Sequence, residues 1–345
     1  MCLLFRDLYA ASSIWHGIGY TSDMKNMYRN IRFIGLALVS ATLLLTSCSK
    51  APQETTTVRM ASQPLIFGLP LYVAQDQGIF AKNDVNVDAK SFTSANDMIN
   101  ALVAGQIDIL PDVPLVPVVS LESQYPGRFR VFAHSLMTPE KPFDRILVKT
   151  DSTIKTLTDL SGKRVALIPG TTALNAMKAF LKKHGVDAAS ISFVQLAPPA
   201  QLPALQSDSV DALYAYEPLL TIALAQGRYR PISGSIYCDL LNPCPLVVSL
   251  VDRNFEKANP ETTKRAINAL DEATRAIQAD PVKASASLAT HANVPTNLTA
   301  KVNIQNRTIE GQMDLKLMQK FIDLLLEIGE VQKSASAEKM TELTH

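Results

Sequence analysis

An α/β fold of two similar lobes is predicted by three observations. Short β-rich runs alternate with amphipathic helical stretches from Val58 onward. The order strand–helix–strand–helix–strand occurs twice. One segment of the first copy also matches a segment of the second at a constant offset.

In the first copy, Val58-Arg59-Met60-Ala61 reads as a strand, Leu69 to Gln77 as a helix ending at Gly78, and Val85 to Ala89 as an alternating strand. Ser94-Ala95-Asn96-Asp97 reads as a capped helix start, with Met98, Ile99, Leu102 and Val103 as the apolar stripe. Gly105 closes that helix before a short strand from Ile107 to Leu110.

In the second copy, Lys163 to Ile168 is a strand and Thr171 to Lys183 a helix, with Leu174, Met177, Phe180 and Leu181 on one side. Ile191 to Leu196 is the next strand. Pro199 to Leu205 is a helix with proline in its first turn, where a missing N–H costs nothing. Val210 to Ala215 completes the unit. ALVAGQIDIL from Ala101 and ALQSDSVDAL from Ala204 share Ala, Leu, Asp and the final Leu at an offset of 103 residues. That element order implies parallel strands with crossover helices, and ligands of open α/β sheets sit beyond the carboxyl ends of the strands.

Beyond Val251 the pattern turns helical: Pro260 to Ala279, Pro281 to His291, and Asp314 to Ile328 ending at Gly329. Without strand partners of their own, these helices are expected to pack back on the first lobe. The lobes then comprise residues 58–145 with 243–333, and 146–242, and the tail from 334 to 345 is expected to fray.

The totals narrow the function classes. The 345 residues carry 33 basic and 32 acidic side chains, a formal charge of +1, so nothing marks a nucleic-acid surface. Lys25, Arg29 and Arg32 precede the apolar run FIGLALVSATLLL from Phe33 to Leu45. Basic residues, about a dozen apolar ones and then small ones make a secretory signal, too short to span a membrane comfortably. Residues 24–47 are therefore read as the signal and 1–23 as an over-called extension, with Met24 or Met27 as the start. Leu45-Thr46-Ser47-Cys48 resembles the bacterial lipobox, which implies lipidation of Cys48 and anchoring at a membrane, with 48–57 as a polar tether. Cys238 and Cys244 flank five residues that include one proline, Pro243; export permits a disulfide between them, with two buried thiols as the alternative.

LYVAQDQGIFAKNDVNVD from Leu71, ALVAGQIDIL, LTDLSGKRVALIPGTTALNAMKAFLKKHGVD from Leu157 and LQSDSVDALYAYEPLL from Leu205 together resemble the periplasmic binding proteins of type II topology. Within these the chain is similar to the nitrate/sulfonate/taurine group, shared with the thiamine-pyrimidine precursor proteins. The resemblance implies a monomer whose lobes close over a small solute and then dock on an ABC permease with its ATPase. Hinge closure needs only differential affinity of the ligand for the closed state, so no cofactor or metal is expected. Scattered His134, His184 and His291 match no metal spacing, and no nucleophile elbow, Walker loop or dinucleotide fingerprint occurs.

Candidate ligand-binding residues lie where the strands end. Gly170, Thr171 and Thr172 follow a strand and open a helix, a place suited to an anion. Gln63 and Pro64 occupy the corresponding position in the first lobe, and Ser94 caps a helix there. Asp112 and Glu217 stand near Pro114 and Pro218 at the ends of the two last repeated strands. Facing carboxylates would favour a ligand with N–H donors, although Glu217 can equally cap a helix. Tyr214 and Tyr216 share one strand face and are candidates for stacking. The combination predicts a small solute of mixed polarity, taurine- or sulfonate-like or a pyrimidine precursor, and no catalysis. The alternatives are an enzyme on the same fold, of thiamine-pyrimidine or menaquinone type, and a ligand sensor for a membrane receptor.

Overall fold

The computed structural model describes residues 56–343; Cys48, the apolar run before it and the extension 1–23 lie outside them. The strands in chain order are β1 (Thr57–Ser62), β2 (Asn86–Ser91), β3 (Ile109–Pro114), β4 (Phe129–Met137), β5 (Asp144–Lys149), β6 (Arg164–Leu167), β7 (Ser192–Gln195), β8 (Ala212–Tyr216), β9 (Tyr229–Pro231), β10 (Cys244–Asp252) and β11 (Asn306–Arg307). They form a six-stranded sheet, β11-β4-β10-β3-β1-β2, and a five-stranded one, β7-β6-β8-β5-β9. The chain crosses to the second sheet after β4 and returns with β10, which lies antiparallel between β3 and β4.

The duplicated unit is present in both sheets. β1 pairs in parallel with β2 and β3, and β6 pairs in parallel with β7 and β8. The helices Leu69–Asp76, Ala95–Val103, Thr171–Lys183 and Pro198–Gln206 supply the connections. The aspartate shared by the two matching segments has one structural task in each copy. Asp108 Oδ2 accepts from Arg59 N–H at 2.8 Å and from Nε–H at 3.0 Å; Asp211 Oδ2 accepts from Arg164 N–H at 2.8 Å and from Nε–H at 3.0 Å. Each pair ties the start of the central strand to the turn before the last one, so this part of the repeat signal comes from packing and not from ligand chemistry.

Three long antiparallel strands go beyond the sequence expectation. β4, β5 and β10 are buried along most of their length, and every residue of β10 is buried. The last helices pack on the first sheet as expected: Pro260–Ala279 lies on Leu69–Asp76, and Leu315–Glu327 lies on β10. Asp314 caps the latter by accepting from Leu317 N–H at 2.9 Å. Two details differ. The segment from Pro281 is two short helices, Pro281–Ser285 and Ser287–His291, and the strand β11 pairs with β4. Residues 334–343, expected to fray, are ordered: Ala337–Thr341 is a helix with Ala337 and Met340 buried, and the Arg253 guanidinium donates to Glu342 O at 2.7 Å.

Cys238 and Cys244 are two buried thiols, not the disulfide favoured from their spacing. The helix Ile236–Leu240 holds one and the first residue of β10 is the other. Burial pushes the Cys238 thiol up to about 11, and it also raises that of Cys244.

Candidate functional site

A cleft with ≈ 580 Å³ of empty space, part of it open to solvent, lies where β1 and β3 of one sheet and β6 and β8 of the other end. Six of the predicted residues line it: Gln63, Asp112, Gly170, Thr171, Thr172 and Tyr216.

Two helix starts reach the cleft. Gly170 has φ 130° and ψ 160°, a conformation open almost only to glycine, and it turns the chain from β6 into the helix Thr171–Lys183. Its own N–H donates to Gln195 Oε1 at 3.1 Å. No side chain caps that helix, so the N–H groups of Thr171, Thr172 and Ala173 have no partner within it. From the first sheet, Ala95 and Asn96 line the cleft at the start of Ala95–Val103, where Ser94 Oγ accepts from Asn96 N–H at 3.1 Å. Ser94 is therefore a cap and is not among the lining residues, and Pro64 beside Gln63 is not among them either. Among the described residues no Lys, Arg or His lines the cleft, so an anion there meets backbone N–H groups and helix dipoles.

Asp112 is the one carboxyl that the described residues place in the lining. It is 5% exposed, and its Oδ1 has no hydrogen-bond partner. Burial pushes the carboxyl up to about 7, against the pull of the Ser62 hydroxyl and the Gln63 N–H. A buried acceptor without a partner is costly, and a donor brought by a ligand would relieve it.

Glu217 does not face Asp112 across the cleft. Its carboxylate accepts from Thr221 N–H at 3.2 Å, Thr221 O–H at 2.9 Å and Asn303 Nδ2–H at 3.0 Å. It caps the helix Leu219–Ala225 and ties the second sheet to the segment that leads into β11. Burial nonetheless raises it from 4.5 to about 7. The folded chain thus binds this proton more tightly than the unfolded one. The contribution to stability is fully present below pH 4.5 and lost as pH rises through about 7. Glu217→Gln is expected to flatten the fall in melting temperature between about pH 4.5 and 7; an unchanged slope would assign that fall to another group.

Tyr214 and Tyr216 share a face, their ring centroids 4.9 Å apart and edge to face. Only Tyr216 reaches the cleft. Tyr214 is 1% exposed and donates to Asp144 Oδ2 at 2.8 Å. Three aromatic residues went unnoticed in the sequence: Phe67, Phe143 and Tyr237 all line the cleft. They come from a short helical turn after β1, the first crossing segment and the helix Ile236–Leu240. None belongs to a repeated motif. The one available cue was Pro142-Phe143-Asp144, an aromatic residue placed between two β-rich runs.

Two sheets built on the same parallel unit, joined by two crossings and enclosing a cleft at their strand ends, define the fold of the periplasmic binding proteins. The crystal structure of the periplasmic aliphatic sulphonate binding protein SsuA from Escherichia coli matches with a TM-score of 0.66 at 22% identity, over 84% of this chain and 98% of that one. The nitrate-binding protein NrtA from Synechocystis matches at 0.64 and 16%, over 83% and 84% of the two chains. The desulfurization enzyme DSZB shares the fold too, at 0.62 and 16%, over 83% and 96%. In sequence, residues 68–284 match the NMT1/THI5 like family model, and the chain belongs to that family. The taurine-binding periplasmic protein of Escherichia coli K12 is 28% identical over 61% of this chain and 64% of its own length. A putative aliphatic sulfonates-binding protein of the same strain is 27% identical over 59% and 61%. The matched stretch thus spans less than two thirds of either relative.

Proposed function

We propose that the chain is the solute-binding component of an ABC importer and captures a small organic oxyanion, of sulfonate or taurine type, between two lobes. The observation that carries this reading is the cleft itself. Two helix starts meet there without a single cationic side chain, beside one unpaired carboxyl oxygen. An oxyanion fits the N–H groups at Thr171–Ala173, and a ligand N–H or O–H fits Asp112. Among the described residues no Cys, His, Ser or Lys lines the cleft, which favours capture over catalysis. The lobes are 58–145 with 243–333, and 146–242, hinged at the two crossings. Gln63, Gly170, Thr171 and Thr172 contact the solute, and export with a lipid on Cys48 would hold the protein near its permease.

A thermal-shift series tests the reading. Taurine and short alkanesulfonates are expected to raise the melting temperature in a concentration-dependent way, as any ligand of the folded state must. Stabilisation by nitrate alone, with none from any sulfonate, would contradict it.

A further inference from the structure

The lining of the cleft carries more information than its polar ends. Phe67, Phe143 and Tyr216 form a continuous series, with ring centroids 4.4 Å and 4.6 Å apart at tilts of 50° and 46°. Tyr237 extends it, 6.1 Å from Tyr216. The four rings come from four separated segments, so the wall spans both sheets and the first crossing.

These rings are fixed before any ligand arrives. Tyr216 and Tyr237 share a hydrogen bond at 2.7 Å between their hydroxyls, which holds the two rings in place. Behind them Tyr214 stands edge-on to Tyr216 and is anchored to Asp144, which also accepts from Ser235 O–H at 2.5 Å and from Ile236 N–H at 3.0 Å. The rest of the apolar lining includes Leu65, Val113, Pro114, Ile168, Leu246 and Val247. A two-carbon zwitterion would exchange the hydration of its ammonium for one carboxyl and offer no flat face to the partly exposed Tyr216 ring. A flat ring would cover it, in the offset or edge-on arrangements that aromatic groups prefer. Preorganised walls of this kind favour the ligand that matches their shape.

Building on the solute-binding reading above, we propose that the preferred solute carries a planar aromatic ring: an aryl sulfonate bearing an N–H donor, of the aminobenzenesulfonate class. The sulfonate meets the start of Thr171–Lys183, the donor meets Asp112 Oδ1, and the ring lies against Tyr216, which Phe143 and Phe67 back.

Calorimetric titration of the intact protein with taurine, ethanesulfonate, benzenesulfonate and 4-aminobenzenesulfonate tests this, in the wild type and in Tyr216→Leu and Tyr216→Phe. The aminobenzenesulfonate is expected to bind at least about tenfold more tightly than taurine or ethanesulfonate. Tyr216→Leu should remove most of that preference, and Tyr216→Phe, which keeps the ring, should retain it. Taurine or ethanesulfonate binding as tightly as the aryl compounds in the wild type overturns the inference and leaves the solute-binding reading intact. Binding of no sulfonate at all overturns both. An aryl preference that Tyr216→Leu leaves untouched, in a variant that still binds ethanesulfonate, overturns the role of this wall.

Discussion

Asp144→Ala is expected to destabilise the protein by roughly 3–5 kcal/mol, because it leaves several buried donors without an acceptor at once. Asp144 is fully buried, and its carboxyl accepts from the Tyr214 hydroxyl, the Ser235 hydroxyl and the Ile236 N–H. Burial raises it to about 6 in spite of these donors. Its position multiplies the effect. Asp144 is the first residue of β5, where the chain enters the second sheet, and Ser235 caps the helix that precedes the return crossing. One carboxyl therefore joins both crossings. Water admitted into the vacated space would relieve part of the loss. Asp144→Asn keeps one acceptor oxygen and should cost clearly less. Urea midpoints of the three proteins check the order; a loss below about 1 kcal/mol in the alanine variant would mean that the donors find other partners.

Phe143→Ala has the second largest expected effect. The side chain is 1% exposed and touches the rings of Phe67 and Tyr216. Truncating a buried phenylalanine costs about 3–5 kcal/mol, from lost apolar transfer and from the cavity left behind. Here the cavity would also open beneath the cleft, so a variant that still folds should bind its solute more weakly. Phe143→Leu conserves most of the volume and should cost less than half as much. If the two substitutions cost the same in thermal unfolding, the ring contacts themselves contribute, and the cavity matters little.

What could be read from the sequence followed the range of its interactions. The parallel units were legible because their periodicity is local: the stripe Met98–Leu102 and the cap at Ser94 lie within one helix, and both stand as expected. Strands β4 and β10 have no polar alternation, since sheet and helices cover both faces, so a period-two search passes over them. Glu217 illustrates a different limit. Its place at a strand end beside Pro218 resembles that of Asp112, but its partner Asn303 lies 86 residues away, and nothing near Glu217 announces that bond. The aromatic wall was hidden for the same reason. Its rings come from turns and crossings, and only the fold brings Phe67, Phe143, Tyr216 and Tyr237 together. The tail was misread because the exposed residues around Ala337 and Met340 conceal two that pack inward.

On the proposed function, the cleft between the sheets holds an oxyanion at the start of Thr171–Lys183. A crystal structure of the protein grown with a sulfonate ligand tests it most directly. Sulfonate oxygens are expected within hydrogen-bond distance of the Thr172 and Ala173 N–H groups, with the remainder of the ligand between Asp112 and the aromatic wall. Density for the ligand outside this cleft, or a sulfonate turned away from that helix start, would contradict it.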